Sequence, residues 1–404
     1  MGKVMDAKDA LALHESALKT DNYSHPRPLL ACLRNETGRH FTGILGPRGV
    51  GKTVLLKQLA SSMSNSLYFS MDTLDSGTDL FELLNKLHRD YKISSFLFDE
   101  VHFFSGIEGV LKRLYDNLRV RVCFTSSVAL ALHDSAYDLS RRIQLKTLLP
   151  FSYREFLFFR YGIKLSSLSL EDIFNCRWSG EHMRAGIHFD EFLKGGLMPF
   201  SLEEPEPLQI LGAIRDTVIR KDIPRVTRLH TDELDMLEKC LKFIGKSPVD
   251  GINYTSISKN LGITKYKAEQ YLALFEKAFI LHRVFPKGTN VLKEPKVLLA
   301  PPYRLLYTDY EQAIGGLRED YFAEAMRSRN IDFSYLKTTR GGKTPDYVIE
   351  AEVDGNETST VIEIGGRRKG CAQFKNYTAD RRFIFTHSDE TDTERRPLFM
   401  LGMG

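Results

Sequence analysis

Phe41-Thr42-Gly43-Ile44-Leu45-Gly46-Pro47-Arg48-Gly49-Val50-Gly51-Lys52-Thr53 is the stretch that decides the fold. A short apolar run leads into the pattern G-x-x-x-x-G-K-[ST], and Val54-Leu55-Leu56-Lys57-Gln58-Leu59 follows with the character of a helix. Strand, glycine-rich turn and helix in that order make a phosphate-binding loop. The glycines let backbone N–H groups turn inward around a triphosphate, and the helix aims its positive N-terminal end at the same anion. Gly46, Pro47, Arg48, Gly49, Val50, Gly51, Lys52 and Thr53 are therefore expected to hold the nucleotide. Lys52 would reach the β- and γ-phosphates, and Thr53 would hold Mg²⁺.

A loop of this kind needs carboxylates from a neighbouring strand. Ser95-Phe96-Leu97-Phe98-Asp99-Glu100 is an apolar run ending in two acids, as a buried parallel strand does when it delivers its end to a nucleotide. Asp99 is expected to hold the metal's water shell and Glu100 to act as general base on the attacking water. Strand-like runs at 41–45, 66–71, 94–98 and 120–125 alternate with helix-like runs at 53–63, 78–89 and 106–118, which predicts an α/β fold with a parallel sheet wrapped by helices. The run at 120–125 ends in Thr125-Ser126-Ser127. Ser126 could lie beside the γ-phosphate and orient water, or could cap a helix through Val128–Leu132.

Bulk composition narrows the class without deciding it. The chain has 404 residues, 42% hydrophobic and 27% charged, with a net charge of +4, as expected of several packed domains without a strong nucleic-acid signature. Cys32, Cys123, Cys176, Cys240 and Cys371 are too scattered for a metal site and read as reduced thiols of a cytoplasmic protein. No run is long and apolar enough for a signal peptide or a membrane span, so no membrane partner is expected.

From Asp138 to Leu157 the sequence resembles a family. Arg141-Arg142, an apolar strand and Leu149-Pro150-Phe151-Ser152-Tyr153-Arg154-Glu155-Phe156 are similar to a group of bacterial and archaeal AAA+-like ATPases, in which a helix-turn-helix region and a nuclease-like domain follow the ATPase core. The resemblance covers roughly residues 25 to 385 and is strongest from 41 to 157. It implies ATP as the nucleotide, a helical lid, and an arginine finger at Arg142 or Arg141 that faces a nucleotide, commonly a neighbour's, in a homo-oligomer. The layout it implies is an N-terminal helical segment (1–40), a P-loop core (41–157), a helical lid (158–245), a winged helix (246–300) and a PD-(D/E)xK nuclease-like domain (301–404).

Two later segments carry chemistry of their own. Tyr254–Leu261, Gly262-Ile263 and Thr264–Phe279 have helix-turn-helix spacing, with residues 280–285 and 297–299 as a wing. Lys265 and Lys267 stand where such a module contacts DNA, although winged helices also serve as protein-packing modules. Farther on, Thr344–Glu350 and Thr360–Gly365 read as two strands joined by an Asp354-Gly355 turn. Asp346 and Glu363 fall at the paired-carboxylate positions of the nuclease-like fold, and Glu319 resembles its helix-borne acid. The motif's lysine is replaced by Gly365, with Arg367, Arg368 and Lys369 as the basic residues near enough to stand in. The expectation is a Mg²⁺-dependent ATPase working as an ATP-controlled switch on DNA. The rivals are a slow signalling or assembly ATPase with a protein partner, and an ATP-gated nuclease.

Overall fold

The computed structural model describes residues 5–19, 23, 25–74, 77–127, 141–227, 229–288, 294–337, 344–353, 356–367, 369–375 and 377–404. The expected helix through 128–132, the Asp354-Gly355 turn and Arg368 lie outside the described residues. The chain divides into two units, residues 1–149 and 150–404. The expected lid, winged-helix and nuclease-like segments thus all fall almost wholly within the second unit.

Unit one is built on five parallel strands: β1 (Phe41–Leu45), β2 (Ser66–Ser70), β3 (Ser95–Asp99), β4 (Arg121–Ser126) and β5 (Ile143–Thr147), in the order β2-β3-β4-β1-β5. All five residues of β1 and of β3 are buried, which is why both read as unbroken apolar runs rather than alternating ones. The crossovers are helical: α3 (Lys52–Ser61) after β1, α4 (Leu80–Tyr91) after β2 and α5 (Ile107–Asn117) after β3. The Asp79 side chain caps α4 by accepting from Glu82 N–H. The expected N-terminal helical segment (1–40) holds two helices among its described residues, α1 (Ala7–Lys19) and α2 (Pro28–Arg34). Pro26 and Pro28 stand at the end of the break, where the residue preceding a proline is driven out of helical geometry, as Arg27 is at ψ 152°. Helix α1 covers the exposed edge of the sheet, and His14 Nδ1 accepts from the Tyr68 N–H of edge strand β2 at 3.0 Å.

Unit two begins with helices, including Tyr153–Tyr161, which Ser152 opens with a capping box closed by Glu155. The helical turns Phe189–Glu191 and Phe192–Gly196 run on from one another and are kinked where Gly195 takes φ +137°. Tyr254–Leu261 and Lys265–Lys277 are joined at Gly262 (φ +67°), the left-handed turn that glycine takes without strain. Antiparallel β6 (Leu281–Val284) and β7 (Lys296–Leu299) follow. A second sheet, β12-β11-β10-β9-β8, is made of β8 (Ser334–Tyr335), β9 (Tyr347–Val353), β10 (Asn356–Gly365), β11 (Arg381–Thr386) and β12 (Arg395–Pro397). Strand β10 runs antiparallel to β9 and parallel to β11, and the Tyr310–Ser328 helix packs against it. That helix is fixed by Asp320, wholly buried, which accepts from Arg304 Nε (2.6 Å), Arg304 Nη2 (2.9 Å) and Leu299 N–H (2.9 Å).

Candidate functional site

The loop after β1 has the backbone its glycines predict. Gly49 and Gly51 sit at φ +82° and +86°, where a side chain would be strained. Gly46 is excluded from substitution by space, because a Cβ there would stand 2.1 Å from the Leu148 carbonyl oxygen. Gly51 precedes α3, so Lys52 and Thr53 begin that helix. The Lys52 ammonium is buried and donates to the Gly46 and Pro47 carbonyls at 2.9 Å each. Arg27, from the segment before α2, donates to Val50 O (3.3 Å) and Leu149 O (2.7 Å), tying the loop's far side down. Nothing in the sequence pattern marks Arg27 for that task.

At the end of β3, Asp99 is only 3% exposed and is held by three hydroxyls. Thr53 Oγ1 donates to Oδ2 at 2.6 Å, Tyr68 OH donates to Oδ2 at 3.1 Å, and Thr125 Oγ1 donates to Oδ1. Glu100 then turns into the left-handed region at φ +51°, a conformation costing a non-glycine residue about 1–2 kcal/mol. Its N–H donates to Thr125 Oγ1 at 2.9 Å, and Ser127 Oγ donates to both carboxylate oxygens at 2.7 and 3.0 Å. His102 Nδ1 lies 3.3 Å from Glu100 Oε2. Burial pushes the Glu100 carboxyl up, but Lys52, His102, the Ser127 hydrogen bond and Arg48 outweigh it and hold the group below the usual carboxylate range.

The polar end of β4 divides its work by strand alternation. Thr125 and Ser127 touch the two acids, while Ser126 turns away, its Oγ 3.4 Å from His102 Nδ1. Arg142 lies apart from the loop of its own chain. It sits at the start of β5, where its carbonyl accepts from Phe41 N–H, and so lies at the opposite end of the strands from the loop, about 16 Å away. Its guanidinium forms a two-pronged pair with Asp116 at 3.1 Å over the Tyr115 ring. Among the sequence-predicted residues, Lys52, Thr53, Asp99 and Glu100 come together, Ser126 lies against His102 beside them, and Arg142 does not join them within this chain. The donor set of Thr53 and Asp99 is all oxygen, which suits Mg²⁺, and the hydroxyls hold Asp99 without neutralising it.

Unit two gathers the other expected acids. Ile364 N–H donates to Asp346 Oδ2 (2.8 Å), Asp346 N–H donates to Glu363 Oε2 (3.2 Å), and Tyr347 OH donates to Glu319 Oε2 (2.5 Å). Of the three basic candidates, Lys369 reaches Glu363 Oε1 at 2.5 Å, whereas Arg367 pairs with Glu390 instead. Gly365 and Lys369 go together, since a Cβ at 365 would lie 2.6 Å from Lys369 Cβ and Cγ. A second lysine that the sequence pattern did not single out, Lys296 of β7, pairs with Glu319 at 2.6 Å and Asp250 at 2.8 Å. Burial, with Glu319 and Glu363 beside it, pushes Asp346 up to about 7. A cavity of about 580 Å³ is lined by Asp346, Glu363, Lys369 and Lys296. These acids do not fit a divalent metal as they stand: each has donors on its oxygens, and among the described residues no group of three such side chains is arranged to hold an ion.

The lysines expected to face DNA are also engaged within the chain. Lys267 forms an ion pair with Glu233 and lies over the Tyr271 ring, and Lys265 pairs with Glu294 at 2.8 Å. No helix among the described residues is long and apolar enough to cross a membrane.

Comparison with known proteins bears on these units separately. Residues 38–157 match the family model described as an AAA domain, and residues 187–300 match a domain of unknown function (DUF8612) that spans parts of the expected lid and winged helix. An uncharacterized protein of Methanocaldococcus jannaschii is 29% identical over 368 residues, covering 82% of this chain and 76% of that one. Among solved structures, the ORC1 protein of Aeropyrum pernix in complex with DNA aligns at 14% identity over 78% of this chain and 94% of its own, with a TM-score of 0.30. AMPPCP-bound DnaA from Aquifex aeolicus aligns at 14% over 68% and 90%, with a TM-score of 0.23. Scores of that size leave the fold argument to the sheet order and the family match. The parallel-sheet core of this chain is like that of AAA+ ATPases, and the AAA match over residues 38–157 supports an enzyme of the ATPase type.

Proposed function

We propose that the chain is a Mg²⁺-dependent ATPase whose nucleotide cycle acts as a switch on its C-terminal unit. The observation that carries this reading is the join of Thr53 to Asp99 at 2.6 Å, with Glu100 held beside them by Ser127. The loop N–H groups and Lys52 would bind the phosphates, and Thr53 with Asp99 would hold the metal. Bound there, Mg²⁺ would neutralise charge on the transferring phosphoryl group. Glu100 stays ionised at neutral pH and is fixed at its backbone by Thr125, so it can orient an attacking water and accept its proton. Arg142, remote from its own loop, would serve a neighbouring copy's nucleotide in a homo-oligomer. Mixing Arg142→Ala chains with Lys52→Ala chains tests that role, and no recovery of turnover would exclude it.

For the output of the switch, internal pairing of Lys265 and Lys267 favours a protein partner over DNA. It supports the slow signalling or assembly reading over action on DNA. The deciding experiment is ATP turnover with and without Mg²⁺ and DNA over a range of protein concentrations, alongside mass in solution. The reading expects Mg²⁺-dependent turnover that is lost in Lys52→Ala and indifferent to DNA. Stimulation by DNA that disappears when Lys265 and Lys267 are replaced would reverse the choice of partner. Absence of turnover at any concentration would remove the ATPase itself.

A further inference from the structure

The carboxylates of unit two present a problem of charge. Asp346 directly precedes β9 and Glu363 lies on β10, and both line one cavity with Asp250, while Glu319 of the Tyr310–Ser328 helix joins them through Lys296, which lines the same cavity. Glu363 is 1% exposed, and such a group needs a counter-charge within a few ångströms. Lys369 supplies one. It occupies the space over Gly365 and ends on Glu363 Oε1.

The second comes from outside the sheet. Lys296 is 8% exposed, lies on β7 opposite Val284, and brings its ammonium to Glu319 Oε2, the same oxygen that Tyr347 OH binds. The residues flanking the two strands are also stitched to the sheet, by two backbone bonds and one from a tyrosine hydroxyl. Tyr335 N–H donates to Phe285 O at 3.1 Å, Lys287 N–H donates to Tyr335 O at 3.0 Å, and Tyr335 OH donates to Glu294 O at 2.9 Å. The lysine is thus delivered by a strand that is itself fastened to the acids' own sheet.

We propose that Lys296 is the resident cation of this cluster: the β6–β7 hairpin, and not a divalent metal, neutralises the acids and makes them a joint that locks hairpin, helix and sheet into one body. The geometry accounts for the occupied oxygens of Glu319 and Glu363 and for the absence of a lysine at position 365. An ammonium has one unit of charge and needs fixed acceptors, whereas a divalent ion needs several open oxygens. Every oxygen here that faces Lys296 or Lys369 already accepts from it. Removing the Lys296 charge leaves Asp250, Asp346 and Glu363 lining the existing cavity and strips Asp250 and Glu319 of their cation, an excess of negative charge that a divalent cation can enter to offset.

The test is Mn²⁺ titration of the nucleotide-free full chain, followed by the paramagnetic signal of free Mn²⁺, with ATP affinity as the check that each variant is folded. Wild type and Asp346→Asn should take up Mn²⁺ equally. Lys296→Met should gain one site, bound on the order of a hundredfold tighter than anything attributable to the cluster in wild type, and Asp346→Asn added to it should abolish the gain. Mn²⁺ uptake by wild type that Asp346→Asn removes would overturn the proposal, as would a folded Lys296→Met that gains nothing. If Lys296→Met does not fold, wild type against Asp346→Asn decides alone: equal uptake supports the proposal and a difference refutes it.

Discussion

Asp99 in unit one and Glu319 in unit two are both buried or nearly so, both beside a second acid, and both held by short hydrogen bonds, yet their partners differ in kind. Asp99 is gripped by the hydroxyls of Thr53, Tyr68 and Thr125. Glu319 is gripped by the ammonium of Lys296 together with one hydroxyl. A hydroxyl orients a carboxylate and leaves its charge to be used, whereas an ammonium consumes it. The first arrangement suits recruitment of a cation and the second suits holding pieces of a fold together.

The largest break in that contrast comes from Lys52→Ala. It removes the buried ammonium proposed to reach the phosphates, and ATP affinity by calorimetry should fall by roughly two orders of magnitude. Next is Thr125→Val, nearly the same shape without the hydroxyl. Asp99 loses a donor and the Glu100 N–H loses its acceptor, so chemical denaturation should show a loss of about 1–3 kcal/mol in unit one. Turnover should fall with it. Unchanged stability would mean that Thr125 does not hold the acids.

Acid should act on the two sites in opposite senses. Glu100 has a depressed folded-state pKa, so the stability it contributes is present above its unfolded value near about 4.3 and is lost as pH falls through the folded one. Asp346 is raised to about 7, so its contribution is full below the unfolded value near about 4 and is lost as pH climbs toward 7. Denaturation across pH 4 to 7, the window those two values set, should therefore show a decline that Asp346→Asn flattens and Glu100→Gln does not. The smallest effect is expected of Lys267→Ala. Its pair with Glu233 is partly exposed, and the loss should stay under about 1 kcal/mol with no change in DNA affinity.

What the sequence made legible follows the same division. The loop at 46–53 and the acids at 99 and 100 announce themselves because glycine geometry and a buried strand end leave few residue choices. The shift of contact from Ser126 to Thr125 and Ser127 was not legible, because which face of a strand meets a neighbour depends on register. Lys296 was hidden for a different reason: it pairs with Glu319, 23 positions later, and with Asp250, 46 positions earlier, distances no local pattern spans. Arg142 came from the family resemblance alone, and order along parallel strands does not say which end of the sheet a residue occupies in its own chain.

ATP hydrolysis by Glu100→Gln, measured beside ATP binding in the same preparation, tests the central claim most directly. The account predicts binding close to wild type and turnover lower by about two to four orders of magnitude, the scale of a lost general base. Turnover equal to wild type would contradict it, because the acid that Thr125 and Ser127 hold at the end of β3 would then not be the residue that activates water.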